Sequence, residues 1–386
     1  MPGRIRVDLE VVDGIDGPFV SYAGPLFNQS RANPDVARPY ISVTPPVYQK
    51  EPVMPPIPGS MRAPSSSIRA TFVVIALAGF LGWTMAGPAS ATPGRVREFV
   101  LTPQSAPSGI TVASDGTIWF TEWGKNVIGH LVPGVGLTEF TVPTPDAGLA
   151  GITLGPDGAF WFAEQYADQI GRITTDGQIT EFAIPPCCGQ PIGPDQIATG
   201  PDGALWFTEF NASAIGRVTT DGEFTQWSLG QFTIYPQGIT AGPDGAMWFT
   251  DENGIGRITM DGTISHFGLA DPYGIDIVTG PDSNLWFAIS YTDQVGRITP
   301  TGQQRIWDVD PQCYPQTIAA GPDRALWFGC GIADEIGRIT FGGSITYYPI
   351  PSHPGGDFVQ SIASGPGAAL SFTESSASRI GRISTR

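Results

Sequence analysis

Five acidic residues occupy one recurring place in this sequence. Glu122, Glu164, Glu209, Asp251 and Glu374 each stand two residues after a phenylalanine, in runs of the type Trp-Phe-Thr-Glu. The same place holds Ile289 and Cys330 in two further copies. Fourteen residues before each lies a second recurring position, occupied in turn by Ser108, Ala150, Asp195, Gln237, Ile275, Gln316 and Gln360. If the copies close into a ring, both positions fall on one face around its axis. Carboxylates gathered there are candidate ligands for a hard cation that takes oxygen donors, Mg²⁺ or alternatively Ca²⁺. Crowded carboxylates resist ionising together unless a cation or an arginine balances them. Pairing of each acid with a recurrent arginine is therefore the competing reading. Asp195, Gln237 and Gln316 would contact a small-molecule or peptide ligand on the same face.

The other reactive side chains are few. Of three histidines, His130 takes the place of the recurrent arginine and His266 falls in an outer strand. His353 lies in the loop Ser352–Asp357 that leads to the acid-bearing face. There it is a displaced base beside Glu374 or a solvated loop histidine. Four cysteines allow three pairings. Cys313 and Cys330 flank one hairpin on the same face, and an oxidising compartment would join them. Cys187 and Cys188 are adjacent, with Cα atoms about 3.8 Å apart, which leaves a strained vicinal bridge or free thiols.

The elements that must position these residues are short strands. The cleanest copy of the repeat is residues 238–262, GITAGPDGAMWFTDENGIGRITMDG. A short apolar run, a Gly-Pro-Asp-Gly turn, the Trp-Phe run, an Ile-Gly-Arg run and a Met-Asp-Gly turn precede one more β-like run. Pro presets φ and Gly supplies positive φ, so these are tight hairpins. The Trp-Phe pair falls at 119, 161, 206, 248, 286 and 327, with Ser371-Phe372 as a seventh. A four-stranded period of about 40–45 residues is the signature of a propeller blade. The fold class is thus all-β, a seven-bladed β-propeller over 92–386. The last copy lacks an outer strand, and Arg97–Leu101 fits that role, so an N-terminal strand is expected to complete the last blade and close the ring. The recurrent arginines at 172, 217, 257, 297, 338 and 382 are regular enough to be architectural, bonded to backbone or to a carboxylate within or between blades.

Residues 1–60 are rich in proline, with no sustained period, and read as disordered or as lying upstream of the true start at Met61. Residues 61–91 combine a basic start, the apolar run 71–87 and Ala-Ser-Ala, a secretory signal peptide with cleavage after Ala91. The alternative is a membrane anchor at 71–87. The chain of 386 residues has a net charge of −16, with a pI near 4.4 and a mean hydropathy near zero. That charge repels nucleic acid and anionic lipid. A secreted or envelope protein, monomeric, follows as the expectation.

The pattern Gly-Ile-Thr-x-Gly-Pro-Asp-Gly-x-x-Trp-Phe-Thr-Glu, then Ile-Gly-Arg-Ile-Thr-x-x-Gly, resembles the virginiamycin B lyase (streptogramin lyase) family over 92–386. The resemblance implies a seven-bladed propeller that linearises cyclic streptogramin B antibiotics by Mg²⁺-assisted elimination at an ester bond. It implies a His base at the start of a first strand. Glu residues two before and 14 after it hold the metal, with a second His in the neighbouring blade. Carried onto this chain, the base position is Gln360, the metal positions are Phe358 and Glu374, and the second His position is Gln316. An amide takes no proton near neutral pH. Two functions stay open: a metal-assisted lyase, and a non-catalytic ligand- or protein-binding propeller of the cell envelope.

Overall fold

The computed structural model describes residues 93–187, 191–230, 234–269, 274–351 and 358–386. The expectations for residues 1–60 and 61–91, and those for Cys188 and His353, fall outside them. Among the described residues, 28 strands and no helix form seven four-stranded antiparallel sheets. The chain is a seven-bladed β-propeller.

Blade 3 shows how one sheet is made. Its inner strand is Pro194–Thr199, its second Leu205–Glu209, its third Ala214–Val218 and its outer Phe224–Ser228. Every residue of the second strand is buried, while the outer strand is only partly so. Side chains alternate faces along a strand, so Trp206 packs toward blade 4, against Ile239 and Phe249, and Phe207 packs toward blade 2, against Trp161 and Ile170. The third-strand glycine makes room for the ring. A Cβ on Gly216 would run into Phe207 and come close to the Glu209 carboxylate.

The turn between inner and second strand does more than reverse the chain. In blades 2 to 6 its aspartate accepts the indole N–H of the Trp four residues on: Asp157 from Trp161 at 3.1 Å, Asp202 from Trp206 at 3.0 Å, Asp244 from Trp248 at 2.9 Å, and Asp282 and Asp323 likewise. Its other oxygen takes the recurrent arginine. Arg172, Arg217, Arg257 and Arg338 donate through Nε at 2.6–2.7 Å, and Arg297 through a terminal nitrogen at 3.4 Å. Burial pushes the Asp157 carboxyl up, but the bonds from Trp161 and Arg172 outweigh it and hold it below its ordinary value. This overturns, for blades 2, 3 and 4, the pairing of arginine with the second-strand acids; blades 5 and 6 carry Ile289 and Cys330 in that place. The turn aspartate sits nearer and is the partner. Blade 1 substitutes His130, whose ring stacks on Trp119 at 4.1 Å.

The ring closes through Val96–Val100, which pairs antiparallel with Arg379–Ser384, from Val96 opposite Ile383 to Val100 opposite Arg379. Gly94 N–H donates to the Ser384 carbonyl at 2.8 Å, and Ser384 N–H donates to the Arg95 carbonyl at 3.0 Å. Without this strand the last blade would expose an unpaired edge. Deleting residues 92–102 is expected to abolish soluble monomer, read by gel filtration and circular dichroism. A stable truncated monomer would contradict it.

Candidate functional site

The second strand delivers its terminal acid opposite the first residue of the inner strand. The cross-strand pairs are Pro107–Glu122, Leu149–Glu164, Pro194–Glu209 and Val359–Glu374, with Gly274–Ile289 and Pro315–Cys330 in the apolar copies. The inner strands are irregular immediately after that residue in all six. The position 14 before each acid therefore lies in a bulge rather than in register, and bulges re-aim side chains. Gln360 is exposed there, Asp195 and Gln316 are half-buried, and Gln316 Nε2 donates to Ser290 Oγ at 2.7 Å. Gln237 precedes its strand and donates its N–H to the Thr250 carbonyl at 2.9 Å. Threonines of neighbouring blades fix this rim. Thr121, Thr208, Thr250 and Thr373 donate to the carbonyls of Ala150, Gln237, Ile275 and Ser108 at 2.7–3.2 Å.

The acids themselves are fully buried, and four of them meet side chains of their own blade. Glu209 Oε1 accepts from Gln226 of the outer strand at 2.9 Å, and Cys187 Sγ lies 3.6 Å from Oε2. Asp251 meets His266 of the outer strand at 3.0 Å. Glu122 lies 4.0 Å from Lys125, whose ammonium donates to both oxygens of Glu139 at 2.6 Å. Glu164 faces Glu181, which is itself held by the N–H and hydroxyl of Thr144 at 2.8 and 3.0 Å. Neither oxygen of Glu164 has a hydrogen-bond partner among the described residues. Burial, and then the charge of Glu181, pushes Glu164 up to about 8. Burial also lifts Glu209 to about 7, against the pull of Gln226 and Cys187. No three His, Cys, Asp or Glu side chains gather among the described residues in a way that could hold a metal ion.

The rim carries a separate pair of acids that the spacing argument only half found. Asp195 is pushed up to about 6 by burial and then by Asp276. Asp276 stands in a place that Gly109, Gly151 and Gly238 fill in other blades. Its carboxylate accepts from Thr317 Oγ1 at 3.0 Å and from Ile318 N–H at 2.9 Å. An acid replacing a recurrent glycine was the signal available for it. Cys313 and Cys330 are joined in a disulfide, Cα atoms 4.5 Å apart and both residues buried.

The virginiamycin B lyase family model matches residues 89–275 and 273–386, which together span the propeller. The chain belongs to that family. Among solved structures, selenomethionine-substituted virginiamycin B lyase from Staphylococcus aureus is 36% identical, with a TM-score of 0.71, over 75% of this chain and 99% of that one. A catalytically inactive His-to-Ala variant of the same enzyme, solved with quinupristin, is 35% identical with a TM-score of 0.70, over 75% and 99%. A streptogramin B lyase structure is 34% identical with a TM-score of 0.71, over 76% and 98%. Hydrazine synthase of Kuenenia stuttgartiensis, at 15% identity and a TM-score of 0.62, shares the fold alone. No curated protein matches the sequence.

The residues at the implied metal and base positions do not fit the group the family is expected to use. They are one buried carboxylate, Glu374, an exposed phenyl ring, Phe358, and the two amides Gln316 and Gln360. A hard divalent cation takes six or more oxygens, with carboxylates among them.

The buried acids make a pH test of this geometry. Between the ordinary glutamate value and about 8, Glu164 keeps its proton only in the folded state, so its contribution to stability falls as pH rises through that window. Glu164→Gln should therefore raise the melting temperature at pH 8 and leave it nearly unchanged at pH 4. An equal shift at both values would refute the assignment.

Proposed function

We propose that this chain is a virginiamycin B lyase-like protein that takes ester-linked cyclic peptides of the streptogramin B type on the face bearing Asp195, Gln237, Gln316 and Gln360. The observation that supports it is 34–36% identity across the whole propeller to lyases of that class, one of them solved with quinupristin. Ring-opening elimination removes a proton from the carbon beside a carbonyl. The released electron pair forms a double bond as the ester C–O bond breaks, and the carboxylate leaves. Gln360 can hydrogen-bond an ester carbonyl but cannot accept that proton, so opening by the native chain is slow. The exposed amide and phenyl at 360 and 358 favour binding without turnover as the second reading. Divalent-cation assistance by Mg²⁺, or alternatively Ca²⁺, belongs to a chain in which a carboxylate again stands at 358 beside Glu374. Secretion is proposed on the basic, apolar and Ala-Ser-Ala run at 61–91.

Quinupristin tests this directly. Binding is measured by calorimetry. Ring opening is followed by chromatography and fragmentation, where unchanged mass marks elimination and a gain of water marks hydrolysis. The native chain is expected to bind. Phe358→Glu combined with Gln316→His and Gln360→His should open the ring at least about 10²-fold faster in Mg²⁺, the usual worth of a positioned base. No binding by either protein sinks the proposal. Binding with no opening by the restored variant leaves the non-catalytic reading.

A further inference from the structure

Comparing the seven blades with one another exposes an unsatisfied copy of the Trp–Asp–Arg arrangement. In blade 7 the turn is Gly365-Pro366-Gly367-Ala368, so glycine stands where the aspartate should be, and Ser371 replaces the tryptophan. The arginine, Arg382, is kept. Its cross-strand neighbour on the closing strand is Arg97. Like charges directly opposite each other on a sheet repel. Neither guanidinium has an ion pair or side-chain hydrogen bond with a described residue. Glu98, between Arg97 and Phe99 in sequence, alternates to the other face of the strand, where its Oε1 lies 3.5 Å from Arg379. Blade 5 provides the control. It also sets two arginines opposite each other, Arg297 and Arg305, but Asp282 balances Arg297 and Arg305 lies over Trp307 at 4.7 Å.

The same junction, though its core is packed, lacks one contact that the other six share. At the other six, an outer-strand ring fills the space above a glycine of the next blade. A Cβ on Gly94, Gly177, Gly222, Gly262, Gly302 or Gly343 would run into Tyr348, Phe140, Phe182, Trp227, Phe267 or Trp307. At the seam between blades 7 and 1 the turn is Pro133-Gly134-Val135, and a Cβ on Gly134 would meet nothing within 4 Å. A hollow of about 630 Å³ opens there, lined by Arg97, Glu98, Phe99, Pro133, Gly134 and Arg382.

We propose that this seam hollow binds a small organic anion, a carboxylate attached to an apolar body. The two guanidinium groups take the carboxylate, which restores the charge that Asp157, Asp202, Asp244, Asp282 and Asp323 supply elsewhere. The apolar body rests on Phe99 and Pro133. Guanidinium groups match carboxylates in paired hydrogen bonds. The site faces away from the inner-strand rim, so it is separate from the proposed streptogramin site.

Calorimetry on the full chain tests it with phenylacetate, its neutral isostere phenylacetamide, and inorganic phosphate. Phenylacetate is expected to bind at least tenfold more tightly than phenylacetamide. Arg382→Gln and Arg97→Gln should each weaken phenylacetate at least tenfold. Neither variant should lower its melting temperature, because each substitution removes no bond and relieves the repulsion between the two arginines. Equal binding of the neutral amide, or undiminished binding by both variants, overturns the proposal. Phosphate binding more tightly than phenylacetate overturns it as well, because the apolar walls would then contribute nothing.

Discussion

A buried indole must satisfy its one N–H, and in blades 2 to 6 the aspartate four residues earlier does so. That bond governs much of the rest. The Trp side chains of blades 1 to 6 are the largest fully buried groups among the described residues. Each removes on the order of 200 Å² from water, worth roughly 5 kcal/mol as an upper estimate. They lie between sheets, so their orientation sets how each blade meets the next. The turn aspartate fixes the indole with one oxygen and the arginine with the other. The arginine then covers the indole face in blades 2, 4, 5 and 6, at 5.7–6.0 Å from the ring. One four-residue turn therefore couples hairpin geometry, core packing and the third strands.

The second-strand acids work against this economy. A carboxylate with no exposure costs free energy unless it is paired, and the usual outcome is that it keeps its proton. The blades meet that cost in different ways. Blade 1 places a lysine between two acids, blade 3 an amide, blade 4 a histidine, and blade 5 removes the acid altogether, with Ile289 and Ile306 in the two places. Blade 2 leaves Glu164 beside Glu181. Such variation at one site of a repeat gives each acid a different partner within its own blade.

The period, the Trp-Phe runs and the turns made the seven blades and the closing strand legible before any coordinates, because repeat spacing and turn chemistry are local. What the spacing could not carry was direction. An offset of 14 placed Gln360 beside Glu374, but the bulge after Val359 turns the amide to solvent while the acid stays inside. The Gly-Pro-Asp-Gly aspartate looked like turn chemistry because Asp is common in turns for its own sake. Its second use depends on a strand 13 to 15 residues away. Gly367 and Ser371 were visible as a degenerate copy, yet only the cross-strand register shows that two arginines meet there.

Joining the first described strand to the last also constrains how the molecule is made. Val96–Val100 emerges from the ribosome before any blade exists, and Arg379–Ser384 only after the first six blades. Six blades can condense in order on local contacts. The seventh must wait, with the early strand unpaired, until its partner arrives from nearly three hundred residues away. Contacts of such high sequence separation form slowly, and an open strand edge invites pairing with another chain. Ring completion thus follows the six other blades, and a nascent chain that stalls before Arg379 would be a sticky, six-bladed intermediate.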